Sequence, residues 1–204
     1  MSNEMQKLKD DIEFMKALTQ DSARVTARDG AIMASVGVIF GLTAFQYWLI
    51  FSGIVNIPSA WQPWMWIDGL VLFWLVLGLL MRHFRVPAPS AAARAVSAAW
   101  GGVGTALIAA IVALLAGAWR LGLPSLVIWV FPLVLFTLYG AAWVVAFAVR
   151  RRLWFAFIAG GCFVAAIACG IVMGALEEWL VLAVGLFLLV AIPGITIVRL
   201  AQTN

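Results

Sequence analysis

The stretch Ser97–Gly117, SAAWGGVGTALIAAIVALLAG, decides the fold. It carries no charged residue, and at about 1.5 Å of rise per residue it is long enough for a helix to cross a hydrocarbon core about 30 Å thick. Within it Ser97, Gly101, Thr105, Ala109, Ala113 and Gly117 form a ladder of small residues at every fourth position. On a helix such a ladder lies along one face and lets a second helix approach almost to backbone contact, which is a main source of helix association in lipid. The spacing therefore predicts a helix at the centre of a membrane bundle.

Working outward, the whole chain supports that class. Of its 204 residues 65% are hydrophobic and 11% charged, far more apolar surface than a soluble domain of this size buries. Six apolar spans are expected, at about 31–54, 64–81, 97–118, 125–149, 153–174 and 179–198. They form one all-α polytopic bundle, residues 31–204, behind a separate N-terminal segment, residues 1–30. That segment mixes acids and bases and has no apolar core before Ala31, which excludes a secretory signal peptide.

Residues 3 to about 26 read as a short amphipathic helix. Met5, Leu8, Ile12 and Met15 recur at spacings of three and four, and Phe14 and Leu18 widen the stripe. Its lysines are offset by Glu4, Asp10, Asp11 and Glu13, so anionic lipid gains little by attracting it. Leu8, Ile12, Met15 and Leu18 are accordingly the candidate contacts to a protein partner, with docking onto the protein's own bundle as the competing use.

The spans carry further packing signals. Gly37 and Gly41 make a GxxxG pair in span one, and Cys162, Ala166, Gly170 and Gly174 make a second row in span five. Spans three and five are thus expected to pack on each other. Gly37 and Gly41 are then left to serve a homo-oligomer. Gly101 and Gly102 fall near the start of one hairpin as Gly160 and Gly161 do in the next, a faint sign of repetition. Pro132 and Pro193 interrupt spans four and six, where each removes a backbone donor and leaves the carbonyls of Ile128 and Leu189 without their usual partners.

Orientation follows from charge. Twelve of the thirteen basic residues fall in the N-terminal segment, the loop with Arg82, Arg85 and Arg94, the triplet Arg150–Arg152 and the tail with Arg199; Arg120 alone lies on the other side. The positive-inside rule then places both termini in the cytoplasm, with the bundle in the cytoplasmic (inner) membrane. The net charge of +4 follows from this topology and gives no reason to invoke nucleic acid.

Chemistry is sparse. All three lysines precede residue 17 and His83 is the sole histidine, which leaves no Schiff-base lysine within a span, no bis-histidine haem ligation and no multi-histidine metal site. No Walker loop or nucleotide-binding glycine fingerprint occurs. The reading assigns no catalytic residue, no cofactor and no metal, and hence no enzyme.

Asp68, about one turn inside span two, is the candidate intramembrane ion or proton site, able to pair with Arg120. A carboxylate in a helix's first turn is also stabilised simply by the helix dipole, as for Glu177 and Glu178. Gln46, Thr105, Thr137, Tyr139 and Thr196 are polar groups expected to bond backbone carbonyls or neighbouring helices. Cys162 and Cys169, seven apart on one helix, cannot pair with each other.

Two functions fit these features. The first is a non-enzymatic interaction or regulatory module, a subunit or membrane partner of a larger complex held through residues 3–26. The second is a small transporter or channel for a small or hydrophobic solute, using the kinked spans. The spans hold too few charges for a coupled transporter of ions or polar solutes.

Overall fold

The computed structural model describes residues 27–84, 91–123 and 125–202, and among them all regular structure is helical. The amphipathic helix expected over residues 3–26, with Leu8, Ile12, Met15 and Leu18, lies outside the described residues. Six helices are long and apolar enough to cross a membrane: α1 (Ala27–Phe51), α2 (Gln62–His83), α3 (Ala91–Leu121), α4 (Leu126–Arg150), α5 (Leu153–Ile171) and α6 (Glu177–Gln202). Six such helices are compatible with a multi-pass membrane protein.

Local chemistry sets the helix ends. Pro63 sits in the first turn of α2, where its missing N–H costs nothing. Gly122 ends α3 at φ +67°, a conformation in which a side chain would be strained, and Leu123 N–H then reaches the carbonyl of Ala118 at 2.9 Å. The arginine triplet makes the sharpest turn. Arg151 is left-handed at φ 54° and donates to the Phe147 carbonyl, Arg152 is extended, and α5 begins at once. In α5 the helix stops at Ile171, short of the expected Gly174, which belongs to the following turn at φ +79°.

Packing runs in the order α2, α1, α6, α5, α4, α3, each helix lying chiefly against its neighbours in that series. The two helices at the ends of the series are therefore the least covered. Only 6% of the membrane-length windows of α2 and α3 is buried, against 33–50% in the other four.

This corrects the expectation built on Ser97–Gly117. α3 is peripheral: Ser97, Gly101, Thr105, Ala109 and Ala113 are exposed, Gly117 is half-buried, and a Cβ added at Gly101 would meet nothing within 4 Å. The packing partner of α3 is α4, so spans three and five are not the pair expected. The glycine pairs that hinted at a repeat also differ in use, since Gly101 and Gly102 face open space while Gly161 lies against Leu189 of α6.

The centre is the crossing of α1 and α6. Gly30, Gly37 and Gly41 lie along one face of α1; added Cβ atoms at the first two would collide with Gly194 and Ala191, and one at Gly41 would press on the Phe187 ring at 3.1 Å. Spacings of seven and four keep these three glycines in line on a helix. Gly37 and Gly41 thus hold the protein's own bundle together and are not left over for a second copy.

On the α6 side the close approach coincides with a turn of π-helix at Phe187–Ala191, where Ile192 N–H bonds the Phe187 carbonyl. One extra residue in the turn is how the helix accommodates Pro193, whose ring would otherwise press on the Leu189 carbonyl. Pro132, by contrast, lies buried inside a continuous α4. Farther along, Gly185 receives the ring of Phe136, and Gly140 receives Phe163.

Candidate functional sites

Two clusters of aromatic rings lock the helices at opposite ends of the bundle. At the end away from the termini, Tyr47 of α1 stacks on Trp179 of α6 (4.8 Å, 15°) and on Trp66 of α2 (5.7 Å, 26°). At the termini end, Trp100 of α3 meets Tyr139 and Trp143 of α4 edge-on, each at 5.4 Å, and Trp143 stacks on Phe155 of α5 (5.4 Å, 26°). Paired rings contribute beyond the area they bury, so each cluster ties three helices.

Against the second cluster lies a cavity of about 260 Å³. It is lined by residues of α1, α3, α4, α5 and α6. Its apolar lining includes Met33, Val36, Val96, Val190 and Ile197, and its polar lining is Asp29, Ser97, Tyr139 and Arg150. Asp29 and Arg150 are close enough to interact electrostatically. Trp143, 1% exposed, forms part of the wall, yet its indole Nε1 is buried with no hydrogen-bond partner, and so is Nη1 of Arg150. Both residues line the cavity through other atoms, since neither nitrogen has accessible surface of its own.

Sequence reasoning missed this site because its residues come from five helices and share no motif. The two aromatic positions Trp100 and Trp143 were visible only as two of eleven tryptophans.

The expected ionisable site fares differently. Asp68 lies on an exposed side of α2, and Arg120 is exposed on α3; the two helices stand at opposite ends of the packing order, so the structure does not bring them together. Among the described residues the buried carboxylate is Glu178, 4% exposed. Its Oε2 accepts a 2.8 Å hydrogen bond from the Gly174 N–H and so closes the turn between α5 and α6, while its Oε1 is buried without a partner.

The hydroxyls of Thr105, Thr137 and Thr196 each donate to a carbonyl of their own helix, at 2.9 Å or less for the shortest bond of each. Thr43, which the sequence reading passed over, does the same within the core at 3.0 Å. Gln46 and His83 are exposed. Ala166 is buried between helices, Gly170 lies 3.3 Å from Leu133 by its missing Cβ, and Gly174 lies against the Trp129 ring. Among the described residues no three His, Cys, Asp or Glu side chains gather in one place. No family model, curated protein or solved structure matches the chain.

Proposed function

We propose that the protein is a non-enzymatic membrane module that joins a larger assembly, and that α3 is the helix by which it docks a transmembrane helix of a partner protein. The observation that carries this reading is the outward ladder. Ser97, Gly101, Thr105, Ala109 and Ala113 are uncovered on a helix that touches the bundle along one side only, while different glycines hold the bundle together.

A face whose only duty is to meet lipid has no use for small residues, since lipid tails pack equally well on leucine. Small residues gain where another backbone comes close. The mixed-charge N-terminal segment, with Leu8, Ile12, Met15 and Leu18, supplies a second contact to the same partner on the cytoplasmic side.

The test is purification from the native membrane in mild detergent of three forms: the parent, one lacking residues 1–26, and Gly101→Leu. A stoichiometric membrane protein held by the parent and released by Gly101→Leu, with the bundle intact, is the expected result. A parent that elutes without a partner overturns the proposal. Self-association abolished by Gly101→Leu replaces the partner with a second copy of the chain.

A further inference from the structure

We infer that the uncovered face of α2 is a docking surface for a transmembrane helix of a partner protein, one that carries a lysine or arginine within its apolar span to pair with Asp68. The inference rests on the association proposed above and extends it from α3 to α2.

α2 has two unlike sides. On one, Gly69 approaches Thr43 of α1, where an added Cβ would stand 2.9 Å from Oγ1, and Trp66 and Phe73 pack their rings on Phe40. On the other, Trp64, Asp68, Leu72, Leu75 and Leu79 follow one another at spacings of four, four, three and four, which aligns them along one face of a helix. All five are exposed.

Asp68 is the misfit in that row. It lies six residues beyond Gln62, about 9 Å into the helix, and one turn deeper than Trp64, whose indole marks the headgroup level. From there to Met81 the helix carries no other charge. Acids within spans almost always face a bundle interior or a water-filled cavity, or are paired, because an uncompensated charge in hydrocarbon is costly. Asp68 makes no hydrogen bond or ion pair with a described residue. Its own chain leaves it on the outside, so compensation must come from whatever covers the face.

Charge then fixes the kind of partner. Lipid tails offer nothing to a carboxylate, whereas a basic side chain on a neighbouring helix brings both charge and hydrogen-bond donors. A second copy of this chain does not supply one. At the membrane face nearest Asp68 its only basic residue is Arg120, which lies beyond Trp119 at the end of α3, while Asp68 lies inside Trp64. Trp119 and Trp64 are 88% and 56% exposed and so mark the same interface. The two charges therefore stand at different depths. The exposed leucines supply the rest of the contact, since helices in lipid associate by close packing.

The experiment places a photoreactive diazirine amino acid at Leu72, one turn from Asp68 on the same face, and, in a separate protein, at Ile108 on the exposed side of α3. Native membranes are irradiated and the adducts are mapped by mass spectrometry. The Leu72 probe is expected to label a transmembrane segment of another protein that contains a lysine or arginine within its apolar span. Asp68→Asn should lower that adduct at least about threefold, the scale of one intramembrane hydrogen bond, and Asp68→Glu should retain it. Both variants should keep the parent's size-exclusion profile, because the position is exposed.

A Leu72 probe that labels only lipid, a segment of the chain itself, or a segment without a basic residue overturns the inference, as does an adduct indifferent to Asp68→Asn. The Ile108 probe separates this failure from failure of the association. Protein at Ile108 with lipid alone at Leu72 leaves the association standing without its α2 contact, and lipid alone at both positions removes the two together.

Discussion

Gly30 of α1 and Gly194 of α6 meet backbone to backbone: a Cβ on Gly194 would stand 2.7 Å from the Gly30 carbonyl oxygen, and a Cβ on Gly30 would stand 2.8 Å from that of Gly194. Backbone atoms cannot yield as a flexible side chain can, so a side chain at either position must separate the helices. Gly37→Leu meets the same obstacle, since a Cβ there would lie 2.7 Å from the Cα of Ala191. Gly194→Leu and Gly37→Leu should each destabilise the bundle by at least the ~1–3 kcal/mol typical of overpacking. Gly101→Leu, with open space around it, should change stability by no more than about 0.5 kcal/mol. Thermal unfolding in detergent, followed by size-exclusion chromatography, ranks the three. Equal losses at Gly101 and Gly37 would return the centre of the bundle to α3.

Spacing along one helix shows which residues share a face; it carries no information about what that face meets. That is why the apolar spans were legible in the sequence while the centre was not. The ladder from Ser97 to Gly117 is longer and more regular than the row Gly30, Gly37 and Gly41, yet the shorter row holds the fold. Gly30 was also hidden by its neighbours, because Arg28 and Asp29 make it look like linker, whereas Ala27 onward is already helical. Glu177 and Glu178 look interchangeable as first-turn acids, and only the path of the preceding turn buries the second of them. The cavity is less legible still, since it needs α1, α3, α4, α5 and α6 to be placed before any of its residues are neighbours.

Glu178 has one useful oxygen and one orphan. Oε2 holds the Gly174 N–H, so Glu178→Ala removes the bond that closes the turn and leaves that N–H without its partner. A loss of about 1–3 kcal/mol is expected. Glu178→Gln keeps an acceptor for Gly174 and replaces a buried carboxylate by a neutral amide, whose desolvation costs less. It should be at least as stable as the parent at neutral pH. Chemical denaturation of the three proteins in detergent decides this, and a glutamine variant as unstable as the alanine variant would show that the charge itself is needed.

Cys162 and Cys169 are both 0% exposed, on the side of α5 that faces the core. A thiol must be reached, and ionised, before it can be alkylated, and these positions offer no access without opening the helix packing. A membrane-permeant maleimide should leave both unmodified in the native protein and modify both once the bundle is unfolded, as read by intact mass. Gly37→Leu should speed the modification if it loosens the bundle. Rapid labelling of the parent would mean that α5 separates from its neighbours on the timescale of the reaction.

Trp179 joins three helices through rings, stacked on Tyr47 at 4.8 Å and tilted against Trp66 at 6.2 Å. Trp61 and Trp64 lie nearby in sequence to Trp66 but are 65% and 56% exposed, and indoles at such positions serve as interfacial anchors. Substitution by leucine should therefore separate the two classes. Trp179→Leu gives up ring contacts worth roughly 0.5–1.5 kcal/mol each and leaves unfilled space beside Tyr47, for a combined loss of about 2–3 kcal/mol. Trp61→Leu and Trp64→Leu should stay within about 0.5 kcal/mol of the parent in detergent, where no headgroup layer remains to anchor in. Urea unfolding monitored by circular dichroism makes the comparison. A loss at Trp61 as large as that at Trp179 would mean that the loop between α1 and α2 packs onto the bundle through its tryptophans.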